Sequence, residues 1–114
     1  MERGLGSIPE KTAGNLHRGK DHGLTVVHFG APWCAPCSLQ DPIMRELSRR
    51  YRGRVRMAAV DIDRNPDAAV QLGIECIPTV VIFRDGIEVK RFLGLQSADV
   101  LSAAIRSIQG AEEA

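Results

Sequence analysis

The stretch from Leu24 to Tyr51, LTVVHFGAPWCAPCSLQDPIMRELSRRY, decides the fold. Its first seven residues form a nearly continuous apolar run with two valines and a phenylalanine. A run without alternation suits a strand buried on both faces, inside a mostly parallel sheet. Leu39, Ile43, Leu47 and Tyr51 then recur every four residues, with Met44 beside them. This stripe predicts an amphipathic helix over roughly 35–52. Pro42 lies inside it, and a bend is expected there, because proline lacks the N–H and collides with the carbonyl four residues back. Between strand and helix stand Trp33, Cys34, Ala35, Pro36 and Cys37.

Outward from this stretch, Val55 to Asp61 (VRMAAVD) reads as a second strand. Asn65-Pro66 opens a short helix that ends near Gly73. Thr79 to Arg84 and Ile87 to Leu93 flank Asp85-Gly86, a strong hairpin signal, because these residues tolerate the positive φ that a two-residue turn requires. Ser97 is expected to cap a last helix with Val100, Leu101, Ala104, Ile105 and Ile108 on one face. A strand–helix–strand crossover pairs its strands in parallel, and a hairpin pairs them antiparallel. The expected class is α/β: one mixed β-sheet flanked by helices on both faces, with a C-terminal antiparallel hairpin plus helix. Residues 24–110 make the domain. Residues 1–23 are a polar N-terminal segment, partly flexible and frayed at its start, with one short helix drawn from Ile8, the run from Pro9 and Leu16.

Length and composition bound the function. A chain of 114 residues is one domain with a real core. Fifteen basic against fourteen acidic residues give a net charge of +1, which offers no global attraction to nucleic acid or an acidic membrane. Apolar runs fall far short of the ~20 residues of a membrane span. Three cysteines do not make a stapled secreted miniprotein, and the start MERGLGSIPEKTAGN lacks the apolar stretch of a signal peptide. The expected location is therefore cytoplasmic, where a close cysteine pair is catalytic or metal-binding rather than a permanent staple.

Cys34 and Cys37 sit where the strand meets the helix. Three residues apart on a first helical turn, their side chains share a face within disulfide reach. Cys34 lies at the helix N-terminus, where unpaired N–H groups and the dipole favour the thiolate, the reacting species. Cys37 is one turn deeper and suited to resolving an intermediate. Two buried cysteines without redox work, or half of a structural zinc site, are the plainer alternatives. Zinc needs four ligands and no second C-x-x-C exists, although His17, His22 and Cys76 could complete a set by coincidence of fold.

The sequence VVHFGAPWCAPC, followed by Pro42, resembles the active site of the thioredoxin family, whose usual form is WCGPC. Asp61-Ile62-Asp63, Asn65-Pro66, Gly73-Ile74, Ile77-Pro78-Thr79, Asp85-Gly86 and Gly94 fall at thioredoxin-like intervals, so the resemblance spans roughly 24–108. It implies a thioredoxin fold and a protein-disulfide reductase. Cys34 would be the attacking nucleophile and Cys37 the resolving thiol, together the redox-active disulfide. Pro78 would be the family's cis-proline, with Trp33, Ile77 and Gly94 forming the substrate rim. The backbone beside Pro78 would pair with a substrate strand.

Departures from the family pattern concentrate under the cysteines. His28 stands where a buried aspartate is usual. Burial disfavours a charged ring, so a neutral imidazole could accept the proton of Cys37. The alternative is a core histidine with both nitrogens satisfied by backbone or water. Gly30 replaces a common tryptophan and Ala59 a common lysine that accompanies the acid, so acid and base leave together. Ala35 replaces the glycine of WCGPC and narrows the loop's freedom. Cys76 precedes Ile77-Pro78. It is either a regulatory thiol or a small, half-buried side chain.

The expected partners are disulfide-containing substrate proteins and a separate reductase of the thioredoxin reductase type. No nucleic acid, no membrane and a monomeric state are expected. No GxGxxG fingerprint is present, so no nicotinamide is bound, and neither cofactor nor metal is expected. Two rival readings are a binding adaptor without turnover and a metal or iron–sulfur protein using Cys34, Cys37 and Cys76. Residues 14–20 (GNLHRGK) mimic a phosphate loop by chance, with Asp21 at the Ser/Thr position. Arg45, Arg49, Arg50, Arg52, Arg54 and Arg56 read as a solvated helix end or a patch for an acidic partner protein.

Overall fold

Every residue of the first strand, β1 (Leu24–Gly30), is buried, as an unbroken apolar run requires. The computed structural model describes residues 23–113. The short helix drawn near Pro9, the GNLHRGK loop, His17 and His22 lie outside the described residues. β1 is followed by α1 (Ala35–Arg50), β2 (Val55–Asp61), α2 (Pro66–Leu72), β3 (Thr79–Arg84), β4 (Ile87–Leu93) and α3 (Ala98–Glu113). The sheet order is β2-β1-β3-β4. β1 pairs parallel with β2, from Leu24 opposite Val55 to Gly30 opposite Asp61. It pairs antiparallel with β3, and β3 with β4. The mixed sheet read from the sequence is thus the observed one, and β1 lies between two neighbours within it.

The hairpin turn is made as its residues dictate. Asp85 has φ 54° and Gly86 φ 85°, the two positive values that a primed turn needs. Asp85 also ties the turn to the start of β1. The Gly23 N–H donates to its carboxylate at 2.8 Å, and its own N–H donates to the Gly23 carbonyl at 2.9 Å. Across the sheet, Arg91 of β4 donates to the carbonyls of Leu72 (2.6 Å) and Gly73 (3.2 Å), satisfying the C-terminal end of α2.

The buried faces of two helices differ from the sequence reading. On α1, Leu39 is 60% exposed, while Cys37, Gln40, Met44 and Leu47 are buried. The inward stripe alternates steps of three and four from Cys37, so it includes a glutamine that a hydrophobic count passes over. Gln40 belongs there because it completes a main-chain position. Its Oε1 accepts from the Gln96 N–H at 2.9 Å and its Nε2 donates to the Gln96 carbonyl at 3.0 Å. Beyond α1, the Tyr51 hydroxyl meets Ser102 Oγ at 2.5 Å, joining α1 to α3. On α3, Ser97 caps as expected, its Oγ accepting from the Val100 N–H at 3.2 Å. Val100 itself is 44% exposed. Leu101 and Ile105 define the core face, and Ser102 flanks it, which leaves Val100 on the far side.

Removing the Gln40 side chain orphans two main-chain groups. Gln40→Ala is expected to lower stability by about 1–3 kcal/mol. Urea unfolding should show a lower midpoint at unchanged slope, and an unchanged midpoint would contradict the bridging role.

Candidate active site at the start of the first helix

Cys34 is the N-cap of α1, with an extended backbone (φ −94°, ψ 111°) that ends the loop and starts the helix. Its N–H donates to the Ala31 carbonyl at 3.2 Å, and its carbonyl accepts from the Ser38 N–H at 3.2 Å. Pro36 falls in the first turn, where no intrahelical N–H partner is missed. The Cys37 N–H donates to Cys34 Sγ at 3.2 Å. A main-chain donor at a helix N-terminus therefore addresses the sulfur, the arrangement that stabilises a thiolate when the pair is reduced. Cys34 and Cys37 form a disulfide, with Cα atoms 5.3 Å apart. Cys37 is the deeper of the two, 1% exposed against 6%. With Ala31 they make a small apolar cluster of their own, onto which Ile62 and Ile77 pack.

The surrounding loops assemble at this cluster. The Ile77–Pro78 bond is cis. The Pro78 carbonyl accepts from the Gly94 N–H at 2.8 Å, bringing the residue after β4 beside it. Gly94 has φ 88°, a backbone state few other residues adopt. Trp33 is 67% exposed, a large apolar face in solvent. It is not loose, because its Nε1–H donates to Asp63 Oδ2 at 2.7 Å. Asp63 in turn is held by its own N–H, which donates to Asp61 Oδ1 at 2.9 Å. Ile62 N–H donates to the Gly30 carbonyl at 3.0 Å, fixing that loop to the end of β1. Sequence reading uses Asp61-Ile62-Asp63 only as a landmark and misses Asp63 as the anchor of Trp33. A closely spaced acidic pair just past a strand is the available signal. Cys76 is exposed rather than half-buried. The Thr79 hydroxyl donates to its carbonyl at 2.8 Å and lies 3.8 Å from its sulfur.

Beneath the disulfide, His28 is fully buried on β1, facing α1. In the sheet its register partners are the apolar Ala59 and Val80, with Asp61 two residues further along β2. A carboxylate also approaches from the helix. Asp41 Oδ1 lies 3.3 Å from His28 Nδ1. The pair is close but off the line of a hydrogen bond, and Nε2 has no hydrogen-bond partner among the described residues. No protein group among the described residues bonds either ring nitrogen. Nε2 and the Cys37 sulfur instead lie close to a common point. A Cβ placed on Gly30 would stand 3.1 Å from Nε2 and 3.0 Å from Cys37 Sγ. Ring nitrogen and sulfur thus border the same small space, which exists because residue 30 is glycine.

Among the described residues, no group of three or more His, Cys, Asp or Glu is gathered as a metal site. Among them, too, no helix is long and apolar enough to cross a membrane. The basic run spans the last turns of α1, the loop after it and the start of β2. Arg50 pairs with Glu46 at 2.7 Å, and Arg54 donates to the Arg50 carbonyl while covering the Tyr51 ring.

Comparison with known proteins matches the Thioredoxin family model over residues 15–107. Thioredoxin from Staphylococcus saprophyticus is 32% identical over 99 residues, covering 87% of this chain and 95% of that protein. Thioredoxin 1 from a Nostoc species is 38% identical over 80 residues, covering 70% and 75%. Among solved structures, a point-mutant thioredoxin from Halobacterium salinarum superposes with a TM-score of 0.76 at 29% identity, covering 88% of this chain and 87% of that one. A chain from a study of thiol resolution in yeast mitochondrial 1-Cys peroxiredoxin, via glutathione/thioredoxin systems, gives 0.79 at 27% identity, covering 89% and 95%.

The crowding over Gly30 has a measurable sign. A strand alanine is ordinarily favoured over glycine by roughly 0.5–1 kcal/mol. Here the added methyl meets a disulfide sulfur and a fully buried ring, neither of which can yield, and overpacking costs about 1–3 kcal/mol. Gly30→Ala is expected to destabilise the oxidised protein in urea. A stabilised variant would mean the space is looser than it stands.

Proposed function

The chain belongs to the thioredoxin family and is a thiol–disulfide oxidoreductase working through Cys34 and Cys37, and from that premise we propose how its site divides the labour. Cys34 is the nucleophile. The observation that carries this is the Cys37 N–H directed at Cys34 Sγ at the helix N-cap. In the reduced protein that donor and the helix dipole favour the thiolate at Cys34 rather than Cys37.

The Cys34 thiolate attacks one sulfur of a partner disulfide. That S–S bond breaks, a Cys34–partner bond forms, and the other partner sulfur leaves as a thiolate and takes a proton from water. The Cys37 thiol then gives its proton to His28 Nε2, directly or through one water. The Cys37 thiolate attacks Cys34 Sγ, and the second partner sulfur leaves and is protonated. Two electrons have passed to the partner, and Cys34–Cys37 is the disulfide. The shared space over Gly30 supports His28 as the acceptor. Exposed Trp33, with Ile77, Pro78 and Gly94, forms the rim that receives the substrate backbone, supported by the Gly94–Pro78 contact.

The substrates are disulfide-containing proteins. A separate reductase of the thioredoxin reductase type returns the dithiol, in the cytoplasm, a setting supported by the sparse cysteine usage.

Insulin-disulfide reduction tests the assignment. Cys34→Ser should lose all turnover. Cys37→Ser should still attack and accumulate a mixed disulfide through Cys34, visible by mass. Turnover by the Cys34 variant would overturn the nucleophile assignment. His28→Ala should slow the second exchange step at least about tenfold in rapid mixing, with the first unchanged, the scale of a lost proton acceptor. Equal rates would remove His28 from the mechanism.

A further inference from the structure

Burying an imidazole beside a thiol does not by itself make it a base. Neutral histidine has two tautomers, and only the one with its proton on Nδ1 leaves Nε2 free to accept. Which one forms is decided by whatever Nδ1 meets. Here Nδ1 meets a carboxylate, Asp41 Oδ1 at 3.3 Å, on a side chain only 15% exposed. Asp41 lies on α1, one turn beyond Cys37, so a single helix carries both the thiol and the acid to opposite nitrogens of one ring.

We propose that Asp41 is a positioning residue for the resolving step: its carboxylate, 3.3 Å from Nδ1, favours the ring proton on that nitrogen by its charge and so leaves Nε2 bare at the space it shares with Cys37 Sγ. This rests on the reading of His28 as proton acceptor. When the Cys37 S–H proton moves to Nε2, the ring becomes an imidazolium with its second proton directed at Asp41. The carboxylate balances the new charge where Ala59 and Val80 supply none. The proton then passes from Nε2 to the departing partner thiolate or to water, and the starting tautomer returns. The site therefore keeps an acid beneath the cysteines, placed on the helix rather than on the strand and acting through the ring.

Two readouts separate this from a packing role. The first needs no variant. Imidazole ¹⁵N spectra of the reduced wild-type protein should show His28 protonated on Nδ1 and bare on Nε2, and the opposite tautomer would overturn the proposal. The second is a kinetic cycle. Asp41→Asn keeps the shape but can turn an amide N–H toward Nδ1, favouring the wrong tautomer. It should slow resolution about tenfold without changing the first attack, and it should move the ¹⁵N signature. In a His28→Ala background the same substitution should have no further effect. If His28→Ala slows resolution and Asp41→Asn does not, the proposal fails while the His28 reading stands. If His28→Ala changes nothing, that reading fails first and takes this one with it. An equal Asp41→Asn effect with and without His28 would show that Asp41 acts by another route, which also overturns it.

Discussion

The N–H of Cys37 points at the sulfur of Cys34 across 3.2 Å, and much of the fold keeps that contact in place. It requires a helix to begin at Cys34, just past the C-terminal end of β1. A strand buried on both faces delivers the chain to that point and cannot shift without exposing its apolar residues. The helix stays down because Met44 and Leu47 are buried and because Gln40 is bonded to the main chain of Gln96 ahead of α3. The helix is thus held from below by the core and from the side by the loop that leads into α3. A main-chain donor so fixed needs no reorganisation when charge develops on sulfur.

Around this point the departures from the family pattern compensate one another. A histidine replaces the acid on β1, an alanine stands opposite it in place of a base, and a glycine opens the space in front of the ring. With Asp41, His28 places a polar pair in an otherwise apolar interior. Such pairs are stable only when each polar atom has a task or a partner.

Much of this is legible in the residues. The apolar run of β1, the Asp85-Gly86 turn, the Ser97 cap and the cysteine spacing at a strand–helix junction each follow from local chemistry, and each stands in the structure as read. What is not legible depends on distant partners. Gln40 looks like a surface residue until its contact with Gln96, fifty-six positions away, is known. Trp33 is tethered by Asp63, thirty positions away. Asp41 looks like an ordinary helix-surface acid until the ring of His28 is seen beneath it. Cys76 by its size and class suits a half-buried position, yet the loop before Pro78 turns it outward.

The central claim, that the helix start makes Cys34 the reactive sulfur, is most directly tested by site-resolved alkylation of the fully reduced protein. At about pH 6 an ordinary thiol is almost wholly protonated and reacts slowly. Cys76, exposed and not itself at a helix N-terminus, serves as the internal reference. The account predicts that Cys34 is labelled at least about tenfold faster than Cys76, with Cys37 last. Labelling of Cys37 first, or of Cys34 no faster than Cys76, would contradict it.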